Sequence, residues 1–208
     1  VGSLPDTDDW THQYGNSANT VVSKDKLVKS PMGVLWFGGP SNEKVLPRHG
    51  HGPNPQVAGG RLYIEGRNML RCVDVYTGLL LWEREFLDLG KNYDYTSHEP
   101  GAGAIGSNYV SLEDNVYIIQ GNTCYRLDAA TGETLACFKT PVTPDSTEHP
   151  DWGFLSIHGD VLVAGRKIFV GQTLRTNASA LEQMTSLLKP FDYEVIGVPV
   201  TECLHLKS

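Results

Sequence analysis

The residues of this 208-residue chain best equipped for chemistry are few and scattered. His49-Gly50-His51 sets two imidazoles on one face of an extended segment, as some metal sites do. No third ligand stands nearby in the sequence. We therefore read both, and His98 beside Glu99, as loop histidines with hydrogen-bonding roles, and we assign no metal site. The cysteines Cys72, Cys124, Cys137 and Cys203 show neither a Cys-x-x-Cys pair nor any other metal spacing. They are expected to be free core thiols rather than disulfide partners. Trp10, Trp36 and Trp82 could stack on a cofactor, but packing between repeated units is the expectation.

The elements that must position these residues are written twice. Tyr63, Asp74, Thr77, Gly78 and Leu81 align with Tyr117, Asp128, Thr131, Gly132 and Leu135 at one constant offset of 54 residues. Each copy predicts short strands: Arg61–Glu65, Met69–Asp74 and Leu79–Glu85, then Asn115–Gln120, Thr123–Asp128 and Glu133–Lys139. Between the second and third strands, the Asp side chain can accept backbone N–H groups, and the Gly can take a positive φ. The Leu and Trp of the outgoing strand are expected to pack between neighbouring units. Val34-Leu35-Trp36-Phe37 matches Leu81-Trp82 from an earlier unit. Trp152–Leu155 predicts a further strand, and Val161 stands where Leu62 and Val116 stood in what looks like a third copy.

After Gly165 the pattern becomes β-α-β. Ile168–Val170 reads as a strand, and Ser179 followed by Glu182 as a capping box. Leu181, Met184, Leu187 and Leu188 form a helical stripe limited by Pro190, and Tyr193–Val198 is a strand.

Composition suits a globular protein, with 40% hydrophobic and 20% charged residues. The net charge of −7 and the lack of a Lys/Arg cluster argue against nucleic acid as a partner. The whole excess of negative charge lies in residues 1–158. No apolar run is long enough to span a bilayer and no signal peptide is recognisable. A chain that opens on Val1 looks mature, trimmed or fragmentary, so the compartment stays open. A periplasmic or extracytoplasmic location is expected if a full-length form carries a signal peptide.

Asp74-Val-Tyr-Thr-Gly-Leu-Leu-Leu-Trp82 resembles the PQQ-type propeller repeat, Asp-x-x-Thr-Gly-x-x-x-Trp. Asp128–Gly132 repeats it with Ala136 in the Trp place, and Asp9-Trp10 through Thr20 looks like the entry segment of that family. The resemblance covers about residues 9–165. It implies four-stranded blades arranged in a ring of about seven or eight. This chain offers two recognisable blades and parts of two more, hence a mainly β, partial β-propeller. Enzymatic members hold a quinone with calcium and often a pair of adjacent cysteines, and neither set can be matched here. The resemblance implies the scaffold, with PQQ and calcium a prospect only for a complete propeller.

Residues 159–208 resemble the middle of a dimethylarginine dimethylaminohydrolase, an amidinotransferase (pentein) fold. The matching motifs, in order, are Gly159-Asp160-Val161-Leu162, Arg175-Thr176-Asn177 and Leu204-His205-Leu206-Lys207-Ser208. The resemblance implies that His205 is the general acid/base of a thiolate attack on a guanidinium carbon and that Arg175 holds the substrate carboxylate. Ile157 stands where the family has an active-site acid, and Cys203 does not match the nucleophile position.

The expectation is therefore a partial propeller over 1–158 joined to a dimethylargininase-like β-α-β fragment over 159–208, with the seam at 159–165. Its expected function is a non-catalytic binding or assembly scaffold that meets a protein partner, or itself, through open blade edges. The alternatives are a dimethylargininase-type hydrolase fragment lacking its nucleophile and a quinoprotein oxidoreductase fragment.

Overall fold

The computed structural model describes all residues except 1, 42–43, 48–50, 95–100, 103–105, 141, 143–146, 148, 150, 160, 166, 173–176, 192 and 200–208. Among the described residues, three four-stranded sheets follow one another in chain order. The first contains β1 (Gln56–Ala58), β2 (Arg61–Gly66), β3 (Met69–Asp74) and β4 (Leu80–Glu85), paired antiparallel in chain order. The second contains β5 (Tyr109–Ser111), β6 (Asn115–Gln120), β7 (Thr123–Asp128) and β8 (Thr134–Lys139), paired in the same way. The 54-residue offset holds down to irregularities. The register shifts at Cys72/Val73 and again at the equivalent Arg126/Leu127.

The repeated turn forms as its residues dictate. Asp74 Oδ1 accepts from the N–H groups of Tyr76 (2.8 Å) and Thr77 (3.2 Å), and Asp128 Oδ1 from those of Ala130 (2.9 Å) and Thr131 (2.8 Å). Gly78 and Gly132 close the turns at φ of 71° and 74°, a region that a side chain disfavours. Each glycine lies beneath a tryptophan of the preceding unit. A Cβ on Gly132 would come within 2.8 Å of the Trp82 ring, and one on Gly78 within 2.5 Å of Trp36. The indole N–H groups complete the match: Trp82 donates to Ala129 O at 3.0 Å and Trp36 to Val75 O at 2.8 Å. Trp packing between units is thus observed. Leu packing is not: Leu80, Leu81 and Leu135 are exposed on the outgoing strands, as is Leu79 just before β4.

The third sheet contains β9 (Leu155–His158), β10 (Val161–Ala164), β11 (Lys167–Gln172) and β12 (Glu194–Pro199). Its first three strands form a meander like the others, but β12 runs parallel to β11. A parallel neighbour cannot be reached by a hairpin, and helix α1 (Ala178–Leu188) makes the crossover. The β-α-β connection after Gly165 is therefore observed. The expected boundary between residues 158 and 159 runs through the β9–β10 hairpin of one sheet.

Three sequence expectations need correction. The strand expected over Trp152–Leu155 starts at Leu155; Trp152 is instead a core residue, 5.5 Å from Phe169 between ring centres. The helix cap is Asn177, whose Oδ1 accepts from Ala180 N at 2.9 Å, so Ser179 lies inside the helix and makes no capping box. Leu162, not Val161, occupies the place of Leu62 and Val116. Leu162 pairs with Ile157, as Leu62 pairs with Val57 and Val116 with Ser111. A one-residue slip exchanges the faces of a strand, and Leu162 is the buried member of the pair. On α1, Leu181, Met184 and Leu188 are half-buried, whereas Leu187 is exposed.

The second sheet buries both faces. Val116, Ile118 and Leu127 pack with Tyr63, Cys72 and Trp82 of the first sheet. The alternate residues Val110, Tyr117 and Ile119 pack with Leu155, Leu162 and Phe169 of the third. Period-two alternation explains this double use of one strand. The entry segment fastens the inner edges of all three sheets. Trp10 exchanges two backbone bonds with Val57 in β1, Thr11 O accepts from Ser111 N in β5 at 3.1 Å, and His12 Nε2 accepts from Ile157 N in β9 at 3.1 Å. Val57, Ser111 and Ile157 hold equivalent positions, so three successive residues cross three successive sheets at one level.

Candidate functional site

The richest polar constellation is the seam between the first and second sheets. Gln56, fully buried, turns its amide toward the outer edge of β5. Its Oε1 accepts from Ser111 N at 2.8 Å and Ser111 Oγ at 3.0 Å, and its Nε2 donates to Tyr109 O at 2.9 Å. A side-chain amide here does what a neighbouring strand would do. Tyr109, also fully buried, donates its hydroxyl to Asn54 O at 2.7 Å. Further along the seam, Asn108 Nδ2 donates to Glu65 Oε1 at 3.2 Å. Glu65 lies near the end of β2, and burial, partly offset by the Asn108 bond, pushes its carboxyl up to about 8.

Two cavities flank this seam. One of about 540 Å³ is lined by Gln13, Tyr14, His51, Asn54 and Glu65 together with apolar groups including Leu46 and Ile64. Its volume lies in the range of small-molecule sites. The other, of about 240 Å³, is lined by residues including Asp88, Lys91, Asn108, Asp151 and Trp152. His12 sits at the seam with the third sheet. Burial lowers its imidazole to about 4. Because Nε2 accepts a proton bond, Nδ1 carries the hydrogen and donates to Thr11 Oγ1 at 2.7 Å.

None of these seam residues was singled out in the sequence, although the repeat holds a signal. Gln56 and Glu65 occupy the places of Val110 and Ile119 one period later. Two polar residues at positions apolar in the sister copy mark a polar seam. Of the residues singled out, His51 lines the larger cavity. His49, His98, Glu99, Asp160, Arg175, Cys203 and His205 lie outside the described residues. Ile157 is a buried core residue whose N–H binds His12. Cys72, Cys124 and Cys137 are free thiols. Burial pushes Cys72 up to about 12 and raises Cys124 further, which suits core thiols and not nucleophiles. Cys137 corrects the expectation of a core location, since it is exposed.

The donor set of the described residues does not fit a quinone–calcium centre. They hold no group of three or more His, Cys, Asp or Glu side chains placed to share an ion, and no two cysteines of the chain are adjacent. No described helix is long and apolar enough to cross a membrane.

No protein-family model matches the chain. Over 50 residues, 24% of this chain, it is 46% identical to an N(G),N(G)-dimethylarginine dimethylaminohydrolase of Streptomyces coelicolor and spans 19% of that protein. Among solved structures it is similar to a quinohemoprotein alcohol dehydrogenase from Pseudomonas putida HK5, with a TM-score of 0.47 and 17% identity over 76% of this chain and 23% of that one. A europium-containing methanol dehydrogenase gives a TM-score of 0.44 and 13% identity over 74% of this chain and 27% of that one. BamB from Moraxella catarrhalis gives 0.35 and 13% over 53% and 33%. The chain thus spans a third or less of each of these relatives.

Proposed function

We propose that the chain is a PQQ-like propeller segment acting as a non-catalytic binding or assembly scaffold, with a dimethylargininase-like segment following at residues 159–208. One observation carries the scaffold reading. Trp36 sits on the Gly78 turn as Trp82 sits on the Gly132 turn. Trp82 belongs to a fourth strand backed by three others. Val34–Phe37 has the same docking and no described strand beside it, with Val34, Leu35 and Phe37 at 85%, 70% and 101% exposure.

An extended apolar segment anchored at one side chain suits addition of an antiparallel strand from another chain. A second copy of this chain is the occupant we name, because its own sheets supply strands of the required kind. The test is sedentation-velocity ultracentrifugation over a range of concentrations. Concentration-dependent association that Leu35→Asp with Phe37→Asp abolishes is expected. A monodisperse, cooperatively melting monomer at all concentrations would remove the reading.

The 46% identity over 50 residues favours one second reading, a remnant of methylarginine hydrolysis. There Arg175 would hold the substrate carboxylate and His205 would protonate the leaving amine. Citrulline release from dimethylarginine, lost in His205→Ala, would support it. Calcium-dependent quinone binding would instead support a quinoprotein fragment.

A further inference from the structure

Glu65 and Asn108 meet across the seam of the first two sheets, and their contact is half complete. Asn108 Nδ2 donates to Glu65 Oε1 at 3.2 Å. The remaining atoms of the two groups, Glu65 Oε2 and Asn108 Oδ1, are both shut off from solvent and have no hydrogen-bond partner among the described residues. Two unsatisfied acceptors in one buried contact are costly, and native interiors rarely keep them.

Donor bookkeeping resolves the problem. An ionised carboxylate only accepts, whereas a carboxylic acid carries one O–H donor. An acid and a primary amide can close a ring of two opposed bonds, N–H to one carboxyl oxygen and O–H to the amide oxygen. The first bond is present, and the two orphaned atoms are those the second would join. We propose that Glu65 is held as the neutral acid and donates its Oε2 proton to Asn108 Oδ1, forming a proton-dependent clasp between the first and second sheets.

The surroundings suit a neutral acid. Glu65 is 4% exposed, and the backbone at Gly90 is packed so close that a Cβ there would lie 3.4 Å from Glu65 Oε1. Among the described residues, the titratable groups facing the pair are Tyr109 beside it, Tyr14 and His51 across the larger cavity, and Asp88, Lys91, Tyr93 and Asp151 on the Asn108 side. Lys91 lies 3.9 Å from Asp88, so its charge is partly answered there. The lift of the Glu65 carboxyl to about 8 by burial agrees with this arrangement. When the proton leaves to solvent, the second bond is lost and a buried anion faces the Asn108 carbonyl oxygen.

Carbon-13 NMR of the wild-type protein labelled at glutamate carboxyl carbons tests the proton directly. One glutamate should titrate near pH 8, and that signal should be missing in Glu65→Gln. Urea denaturation between about pH 6.5, above the range in which His12 acts, and about pH 8 tests the clasp. Wild-type stability should fall as pH rises through this window. Glu65→Gln should be flat, since an amide closes the same ring without a titrating proton. If every glutamate titrates in the ordinary range, or if Glu65→Gln keeps the wild-type pH profile, the clasp is wrong. So it is if calcium raises the denaturation midpoint at pH 8 in the wild type but not in Glu65→Gln, because a cation would then join the two oxygens.

Discussion

The indole N–H of Trp82 donates to the carbonyl of Ala129 at 3.0 Å while its ring covers Gly132, so one side chain of the first sheet closes the turn of the second. Trp82 is 7% exposed and lies 5.9 Å from Tyr63 between ring centres. Its removal takes away a large apolar surface, a hydrogen bond and the cover of a strained turn together. Trp82→Ala should cost about 3–5 kcal/mol in urea denaturation. Trp36→Ala, at the half-exposed sister position, should cost well under half of that. Equal costs would mean that the docking is not the source of the stability.

Gly132→Ala should be destabilising for two separable reasons, a positive φ and a Cβ within 2.8 Å of the Trp82 ring. In a Trp82→Ala background the steric part should vanish and only the backbone part of about 1 kcal/mol should remain. A double-mutant cycle measures the difference.

Gln56→Leu should lower stability by about 1–3 kcal/mol, because Tyr109 O and Ser111 Oγ lose the amide that serves them. Faster amide hydrogen exchange at Ser111 relative to Ile118 should accompany it. Unchanged exchange would show that the Thr11 carbonyl alone holds that edge.

The acid side of the stability profile should belong to His12. Its imidazole is neutral in the fold and lowered to about 4 from an ordinary 6.5, with burial the main cause. Below 6.5 the unfolded chain binds a proton that the fold resists. Stability is therefore fully present above about 6.5 and is lost as pH falls through about 4. His12→Leu should lose stability overall and flatten this limb in pH-dependent thermal melts. A limb unchanged in His12→Leu would assign it to carboxylates.

Native-state alkylation followed by peptide mapping should modify Cys137 fast and leave Cys72 and Cys124 untouched until the protein unfolds. Modification of Cys72 at a similar rate would contradict its place between the sheets.

The local chemistry of this chain is legible in its sequence. Asp74 and Asp128 make their turns with atoms two and three residues away, so residue type alone decides them. The same holds for the 54-residue period, the strands of the first two sheets and the change to β-α-β after Gly165. Boundaries at Leu155 and Asn177 were less legible, since a cap or strand end depends on one hydrogen bond among several offers. The motif histidine His205 and Arg175 rest on resemblance, outside the described residues. Only the tertiary structure decided that Trp10, Thr11 and His12 cross three sheets at one level, and that Glu65 meets Asn108. The physical reason is range. These contacts join residues from 43 to 145 positions apart, and their partners are chosen by how whole sheets pack, not by any neighbour in the chain. The sister residues Val110 and Ile119 show that the same strand pattern accepts an apolar seam equally well. The sequence thus specified the sheets, and their packing specified which buried groups must find one another.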